Sequence, residues 1–403
     1  MIADRARLAG GWAAALLGLS IPISIVADNV LLVVIAVAWL LSGHVAAQFA
    51  RALRNPLVIA GLLLFALFIA GIFVYDGDPL HAARSLGKYK ELLFLVPLVC
   101  LLDGEIWRVR AFRFFFAAMV ITLIGSFAIA IGLIPIDNPP NRHAGNPTVF
   151  KFHITQSLLM AMFAFICASL ARIEADRWRR SMYVLLAILA AANVLFMVQG
   201  RTGYIVLLAL FLYAVVAWYR WKGMLAGAVI LGIVLGAGWI SSSKFSERTE
   251  RAVREYQEWV PGQGTPASIG IRLNFYLVTY EIIREHPLLG VGTGGFEEAY
   301  RKKIAGTNLA PSSNPHNEYL MIGAQLGIVG VIAFLAMLVV LWRLSARLKS
   351  EFERDLARAL VISYVLGNLV NSLLLDHTEG TLFCWASAAL FAGMPRTNGH
   401  RST

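Results

Sequence analysis

Twelve stretches of this chain are apolar for most of their length, at roughly 12–27, 29–42, 57–74, 88–102, 112–134, 152–171, 182–198, 203–219, 224–241, 318–342, 357–375 and 381–395. Several reach the ~20 residues that a bilayer-spanning α-helix needs. Lipid offers no partner to an unpaired backbone group, so such runs predict an all-α, polytopic membrane bundle of about twelve helices. A β-barrel would need alternating segments of ~10 residues, and the sequence has none. Composition excludes a soluble domain, with 58% hydrophobic and 15% charged residues. The first two runs are short and are expected to form a hairpin around Ala27, Asp28 and Asn29. Arg5 and Arg7 precede the first run as in a signal peptide, yet no small-x-small cleavage site leads into polar sequence, and we read a retained helix.

Charge distribution orients the bundle. With the N-terminus in the cytoplasm, the inner connections hold 20 of the 35 basic residues. The short outer connections hold only Arg84, Lys88, Lys90, Arg142, Lys151 and Arg201. The long polar stretch 242–316 has nine cations balanced by eight acids. The positive-inside rule, which counts short loops, therefore places both termini inside and the long loop outside. Trp107, Trp178, Trp218, Trp221 and Trp342 fall at the inner ends, as an interfacial belt would. The net charge of +11 is thus largely topology, and no nucleic-acid partner is implied. Cys100, Cys167 and Cys384 sit in or beside apolar runs, offering neither a disulfide framework nor a CxxC pair. Three parts follow: helices one to nine over 1–241, a partly helical outer loop over 242–316, and helices ten to twelve with a short inner tail over 317–403.

The outer connections carry cations that topology does not require. Arg201 stands in Gly200, Arg201, Thr202, Gly203, a minimal link that pins it to the outer boundary. An arginine there can merely snorkel, but it opposes the orientation bias and flanking glycines leave it accessible. Arg142 lies in a proline- and asparagine-rich loop, where a solvated charge is the plain alternative. In the long loop, Glu247/Arg251 and Glu250/Arg254 are i,i+4 pairs on a solvated helix face. Leu273, Tyr276, Leu277, Tyr280 and Ile283 predict a second helix ended by Pro287, with Arg272 in its first turn. A cation meets the positive end of the macrodipole there, which is unfavourable unless an anion binds. Gly290, Gly292 and Gly295 satisfy GxGxxG, but no strand precedes them, so we read a turn that folds the loop back. Asp76 and Asp78 form an acidic turn with no neighbouring histidine, and no metal is assigned to it. His316 closes the loop between Pro315 and Asn317, where the outer segment meets the bundle. Its ordinary pKa suits a general base near neutrality, and nearby arginines would lower it further.

The stretch from Arg272 through His286, Pro287, Leu288, Leu289, Gly290, Val291 and Gly292, followed by Pro315, His316, Asn317, Glu318, Tyr319 and Leu320 and then Gly327 and Gly330, resembles the O-antigen ligase family. That family shares a superfamily with O-antigen polymerases and O-linked oligosaccharyltransferases. The resemblance extends over essentially the whole chain, and the modest length favours a ligase over the protein-glycosylating relatives. It implies a GT-C-like, metal-independent inverting glycosyltransferase of the bacterial inner membrane, needing no cofactor. The implied partners are undecaprenyl-pyrophosphate-linked O-antigen, lipid A–core oligosaccharide and the surrounding membrane lipids. It implies His316 as catalytic residue, with Arg201 and Arg272 binding pyrophosphate. Topology and charge add Arg142 and Lys88 to that binding set. Asn314, Asn317 or Glu318 is expected to orient the histidine ring. The competing expectations are a polymerase, whose acceptor is itself a lipid-linked glycan, and a transporter, which intramembrane charges and broken helices would mark.

Overall fold

The computed structural model describes residues 1–135, 146–198, 200–241 and 243–394. Among these residues the chain is all-helical, with no strand. Helices α1 (Ile2–Ser20) and α2 (Ile25–Leu41) form a hairpin. Its turn is residues 21–24, four residues earlier than the polar pair Asp28 and Asn29 suggests. Pro22 has no N–H to extend α1. Ser24 then caps α2 by accepting the Ala27 N–H at 3.3 Å. Asp28 is buried in the first turn of α2, bonded by Ser20 and 3.6 Å from the Lys151 ammonium.

Helix α3 (Val45–Ala52) bends 114° from α2. Then come α4 (Pro56–Ile72), begun by Asn55 with proline at its first position, and α5 (Pro79–Gly87). The apolar run 88–102 is not one span. A 3-10 turn (Lys90–Phe94) leads into the two-turn α6 (Leu95–Leu101). Long helices α7 (Glu105–Ala130), α8 (His153–Ile173) and α9 (Arg177–Ala192) follow, α9 running on through a π turn to Met197. Helix α10 (Arg201–Ser241) breaks at Arg220, where φ is +54°, so two helical halves replace one rod. The polar stretch supplies α11 (Ser243–Gln257), α12 (Ser268–Glu285) and α13 (Gly295–Lys303). Last are α14 (Glu318–Ser345), α15 (Glu351–Gly367) and α16 (His377–Phe391).

Among the described residues, five helices are long and apolar enough to cross a membrane: α7, α8, α9 with its π turn, the first half of α10, and α14. The bent pair α2 and α3 would make six. Of the apolar window in α8, 72% is buried inside the protein, against 17% in α9, so α8 is a central post and α9 a peripheral one. The outward surface of α9 includes Leu185 and Ile188, both more than half exposed. Such a face needs a non-aqueous cover, and lipid provides one.

Helix α14 is broken at Gly327, where φ is +64°. A Cβ there would come within 2.3 Å of the Leu288 backbone, so only glycine lets the two segments approach. The Gly290–Gly295 stretch docks into this break. The N–H groups of Val291 and Gly292 donate to the carbonyls of Ala324 and Gln325 at 2.8 and 3.0 Å, and Ile328 donates to Pro287 at 2.8 Å. Gly294 N–H reaches the Gln325 side chain at 3.0 Å. The glycine-rich turn is thus a backbone clamp between the polar stretch and the bundle.

Candidate functional site

Three segments converge beside the start of α14: helix α12, the strap ending at His316, and the irregular residues 368–376 between α15 and α16. Tyr276 of α12 ties them together, its hydroxyl donating to the carbonyls of His316 and Leu369 at 3.2 and 3.1 Å. One turn earlier on the same helix, Arg272 Nη1 donates to the Val370 carbonyl at 3.1 Å. Asn317 caps α14 by accepting the Leu320 N–H at 3.1 Å, and its amide donates to the Leu369 carbonyl at 3.0 Å. Glu318 is fully buried. It accepts from the Tyr89 hydroxyl at 3.2 Å and from the Leu374 and Leu375 N–H groups at 3.1 and 3.2 Å.

His316 itself has φ +56°, a left-handed conformation that a non-glycine residue holds at a cost of about 1–3 kcal/mol. Asn314 stabilises it, accepting the His316 N–H at 2.8 Å in an Asx turn, while the Ser372 hydroxyl holds the same oxygen at 2.8 Å. Neither Asn314, Asn317 nor Glu318 has a hydrogen bond to the imidazole. The ring instead has Nδ1 3.4 Å from Asn371 Oδ1 and stacks on Phe275 with centroids 6.1 Å apart. When Nδ1 carries the proton donated to Asn371, Nε2 keeps its lone pair. Asn314 and Asn317 shape the strap and Glu318 anchors the facing backbone, whereas the ring contacts come from Asn371 and Phe275.

Electrostatics link the predicted residues. Burial holds His316 below its ordinary 6.5, and the Arg272 charge lowers it further. Arg272 is itself held below its usual value, by burial first and by the nearby charge of Arg201. Arg272 therefore stands within electrostatic reach of both His316 and Arg201. Arg201 is exposed at the first position of α10. A Cβ at Gly200 would overlap the Ser157 hydroxyl at 1.8 Å, and one at Gly203 would meet the Ser157 Cβ at 2.5 Å. These glycines let α10 start against α8, which fixes the place of Arg201. Lys88 ends α5 and is exposed. It acts on Asp376, which burial raises and the Lys88 charge lowers. The Asp376 carboxylate accepts from the Asn371 amide at 3.4 Å, so Lys88 is two groups removed from the histidine. Arg142 lies outside the described residues. Asp78 caps α5, accepting the N–H groups of Leu80 and His81 at 3.0 and 3.2 Å, which explains half of the acidic turn structurally.

Behind the site is a second polar group that sequence reasoning did not assemble. His377 Nδ1 lies 2.8 Å from Glu91, the Thr155 hydroxyl donates to Glu379 at 2.6 Å, and Lys151 bridges Asp28 and Thr378. These buried charges join α2, the 3-10 turn, α8 and α16. Asn371, Ser372 and Phe275 were also missed as site residues. Asn371 lies within the apolar run 357–375, where one asparagine gives no sign of a site.

The architecture defines a helical membrane protein with a cationic, histidine-bearing site built outside its longest spans. Residues 185–335 match the family model described as O-antigen ligase, a segment containing Arg201, Arg272 and His316. The match covers 151 of the 403 residues, so it is this segment that is similar to the O-antigen ligase family. No curated protein matches the chain.

Proposed function

We propose that the protein is an O-antigen ligase, moving a polysaccharide from undecaprenyl pyrophosphate to a sugar hydroxyl of lipid A–core. One observation carries this reading: within the family-matched segment Arg272 and Tyr276 of α12 are bonded to the backbone around the His316 strap, with Arg272 near enough to lower the His316 pKa and to feel the charge of Arg201. Outside the cytoplasm no nucleotide sugar is available, so the donor arrives activated as a lipid pyrophosphate. Its departure needs fixed positive charge, and the arginine fork suits phosphate oxygens. Arg201 and Arg272 hold the pyrophosphate, while Lys88 and Arg142 extend the cationic approach.

The acceptor hydroxyl approaches His316 Nε2. Its oxygen forms the new bond to the anomeric carbon as the carbon–oxygen bond to pyrophosphate breaks. The pyrophosphate leaves with the electron pair and the proton passes to Nε2. One displacement inverts the anomeric centre. The depressed pKa of His316 keeps it in the base form at neutral pH. Asn371 holds the Nδ1 side of the ring and so presents Nε2.

In this reading the polar stretch 242–316 is a periplasmic subdomain between helices one to nine (1–241) and the last three (317–403). The shorter apolar helices complete about twelve crossings of the inner membrane in a GT-C-like arrangement. The basic residues of the connections opposite His316 support that orientation. Reconstitution in proteoliposomes with undecaprenyl-pyrophosphate glycan and lipid A–core, in EDTA, tests the reaction. Inverted glycan on lipid A–core is the expected product. Longer lipid-linked glycan alone would mean a polymerase, glycan on protein an oligosaccharyltransferase. Glycan moved across the bilayer without a covalent product would mean a transporter.

A further inference from the structure

The end of the bundle opposite His316 contains a cavity of about 390 Å³. Glu318 begins α14 beside His316 and Arg347 follows its far end; the unbroken segment of α14 after Gly327 alone separates them by on the order of 27 Å by helix rise. Four arginines line the cavity: Arg7 from α1, Arg51 from α3, Arg54 before α4, and Arg347 after α14. Asp103 is the one acid among the lining residues. All four arginines are exposed.

The positive-inside bias accounts for arginines at this end of the molecule. It does not require four of them, from three separate parts of the sequence, to face one cavity unpaired. Other cations at the same end have partners within the fold. Arg110 lies over the rings of Trp12 and Trp107 at 4.4 and 4.8 Å. Arg172 pairs with Glu351 and Asp355, each at 3.2 Å. Arg358 lies 5.4 Å over Trp342 and donates to Ser345. Among the described residues, none of the four cavity arginines has an ion pair or a side-chain hydrogen bond to protein.

The surroundings of the cavity suit a lipid. Helix α3 turns by 114° away from the span α2. It buries Gln48 and Ala52 against the bundle while Phe49, at 39%, and the following Leu53, at 36%, remain exposed. Such a helix fits the boundary between headgroups and acyl chains. Phosphates resting among Arg51, Arg54 and Arg347 would therefore have an apolar surface beside them for acyl chains.

We propose that this cavity binds the headgroup of an inner-leaflet phospholipid carrying two phosphates, as in cardiolipin. Basic pockets between membrane helices at the cytoplasmic side recognise such headgroups. The inference rests on the orientation in the proposed function, but its test reads lipid binding and no glycan transfer. Loss of either property would leave the other measurable.

Native mass spectrometry of the full-length protein in detergent is the experiment, with cardiolipin, phosphatidylethanolamine or inorganic pyrophosphate added in turn. Wild type is expected to bind one cardiolipin at least about tenfold more tightly than phosphatidylethanolamine. Pyrophosphate at equal concentration should not displace it, because the acyl chains contribute to binding. The R51Q/R54Q/R347Q protein should bind cardiolipin about 100-fold more weakly, from about tenfold or less per lost charge near a membrane surface. The triple lysine variant keeps the charges and should retain most of the affinity. If the glutamine variant fails to fold, the wild-type competition decides alone. Equal binding of cardiolipin and phosphatidylethanolamine by wild type, or full displacement by pyrophosphate, would overturn the lipid site. Unchanged cardiolipin affinity in a folded glutamine variant would overturn the role of the arginines.

Discussion

At the scale of single residues, the account depends on a histidine held in its base form beside Arg272, which in turn feels the charge of Arg201. Burial and Arg272 both favour neutral imidazole, so the free enzyme should lose activity only as pH falls through a value below 6.5. The acid limb of kcat/KM reports this directly. In Arg272→Gln one of the two depressing influences is gone, and the limb of the residual activity should move to higher pH. An unmoved limb would mean that a different group titrates. Arg201→Lys and Arg272→Lys should each lose activity by about 10²–10³-fold, because lysine keeps the charge but not the fork. Single-turnover rates would measure this, and near-wild-type turnover in both variants would rule out the clamp. The sequence singles out these three residues because each contradicts its setting: an outer arginine in a minimal link, a cation at a helix start, and a histidine at a boundary. Asn371 and Phe275, which contact the ring, do not stand out in the sequence, since an asparagine near a span end and an aromatic in an amphipathic helix are ordinary in their settings.

At the scale of elements, the site depends on places where helices stop. Helix α15 ends at Gly367, and residues 368–376 present carbonyls and amides to Arg272, Tyr276, Asn317 and Glu318. Apolar patterning cannot reveal such a stop, because residues 369–375 include Leu369, Val370, Leu373, Leu374 and Leu375 and continue the hydrophobic run. The run 88–102 hid its 3-10 turn for the same reason. The break in α14 is the counterpart on the other side of the strap. Gly327→Ala would combine a positive φ with a 2.3 Å approach to the Leu288 backbone. It should lower the thermal midpoint in detergent by several degrees and reduce transfer, by displacing the clamp that seats the polar stretch. A midpoint equal to wild type would show that the clamp does not support the fold.

At the scale of the whole molecule, helical membrane character was legible from apolar length alone, whereas the number of crossings depends on helices shorter than the bilayer. The proposed orientation makes a direct prediction. In a cysteine-free background, Ser313→Cys near His316 and Lys349→Cys near Arg347 should sit on opposite faces of the inner membrane. An impermeant maleimide added to intact spheroplasts should label the first and spare the second. The reverse pattern would turn the bundle over and remove the periplasmic site. Placing the candidate site and the arginine cavity at opposite ends also separates transfer from inner-leaflet lipid binding, so each can be altered alone.

The most direct measurement is transfer in proteoliposomes with undecaprenyl-pyrophosphate glycan, lipid A–core and EDTA, comparing wild type with folded His316→Ala. The account predicts glycan on lipid A–core from wild type and a loss of about 10²–10⁴-fold in the variant. Transfer at the wild-type rate by His316→Ala would contradict it.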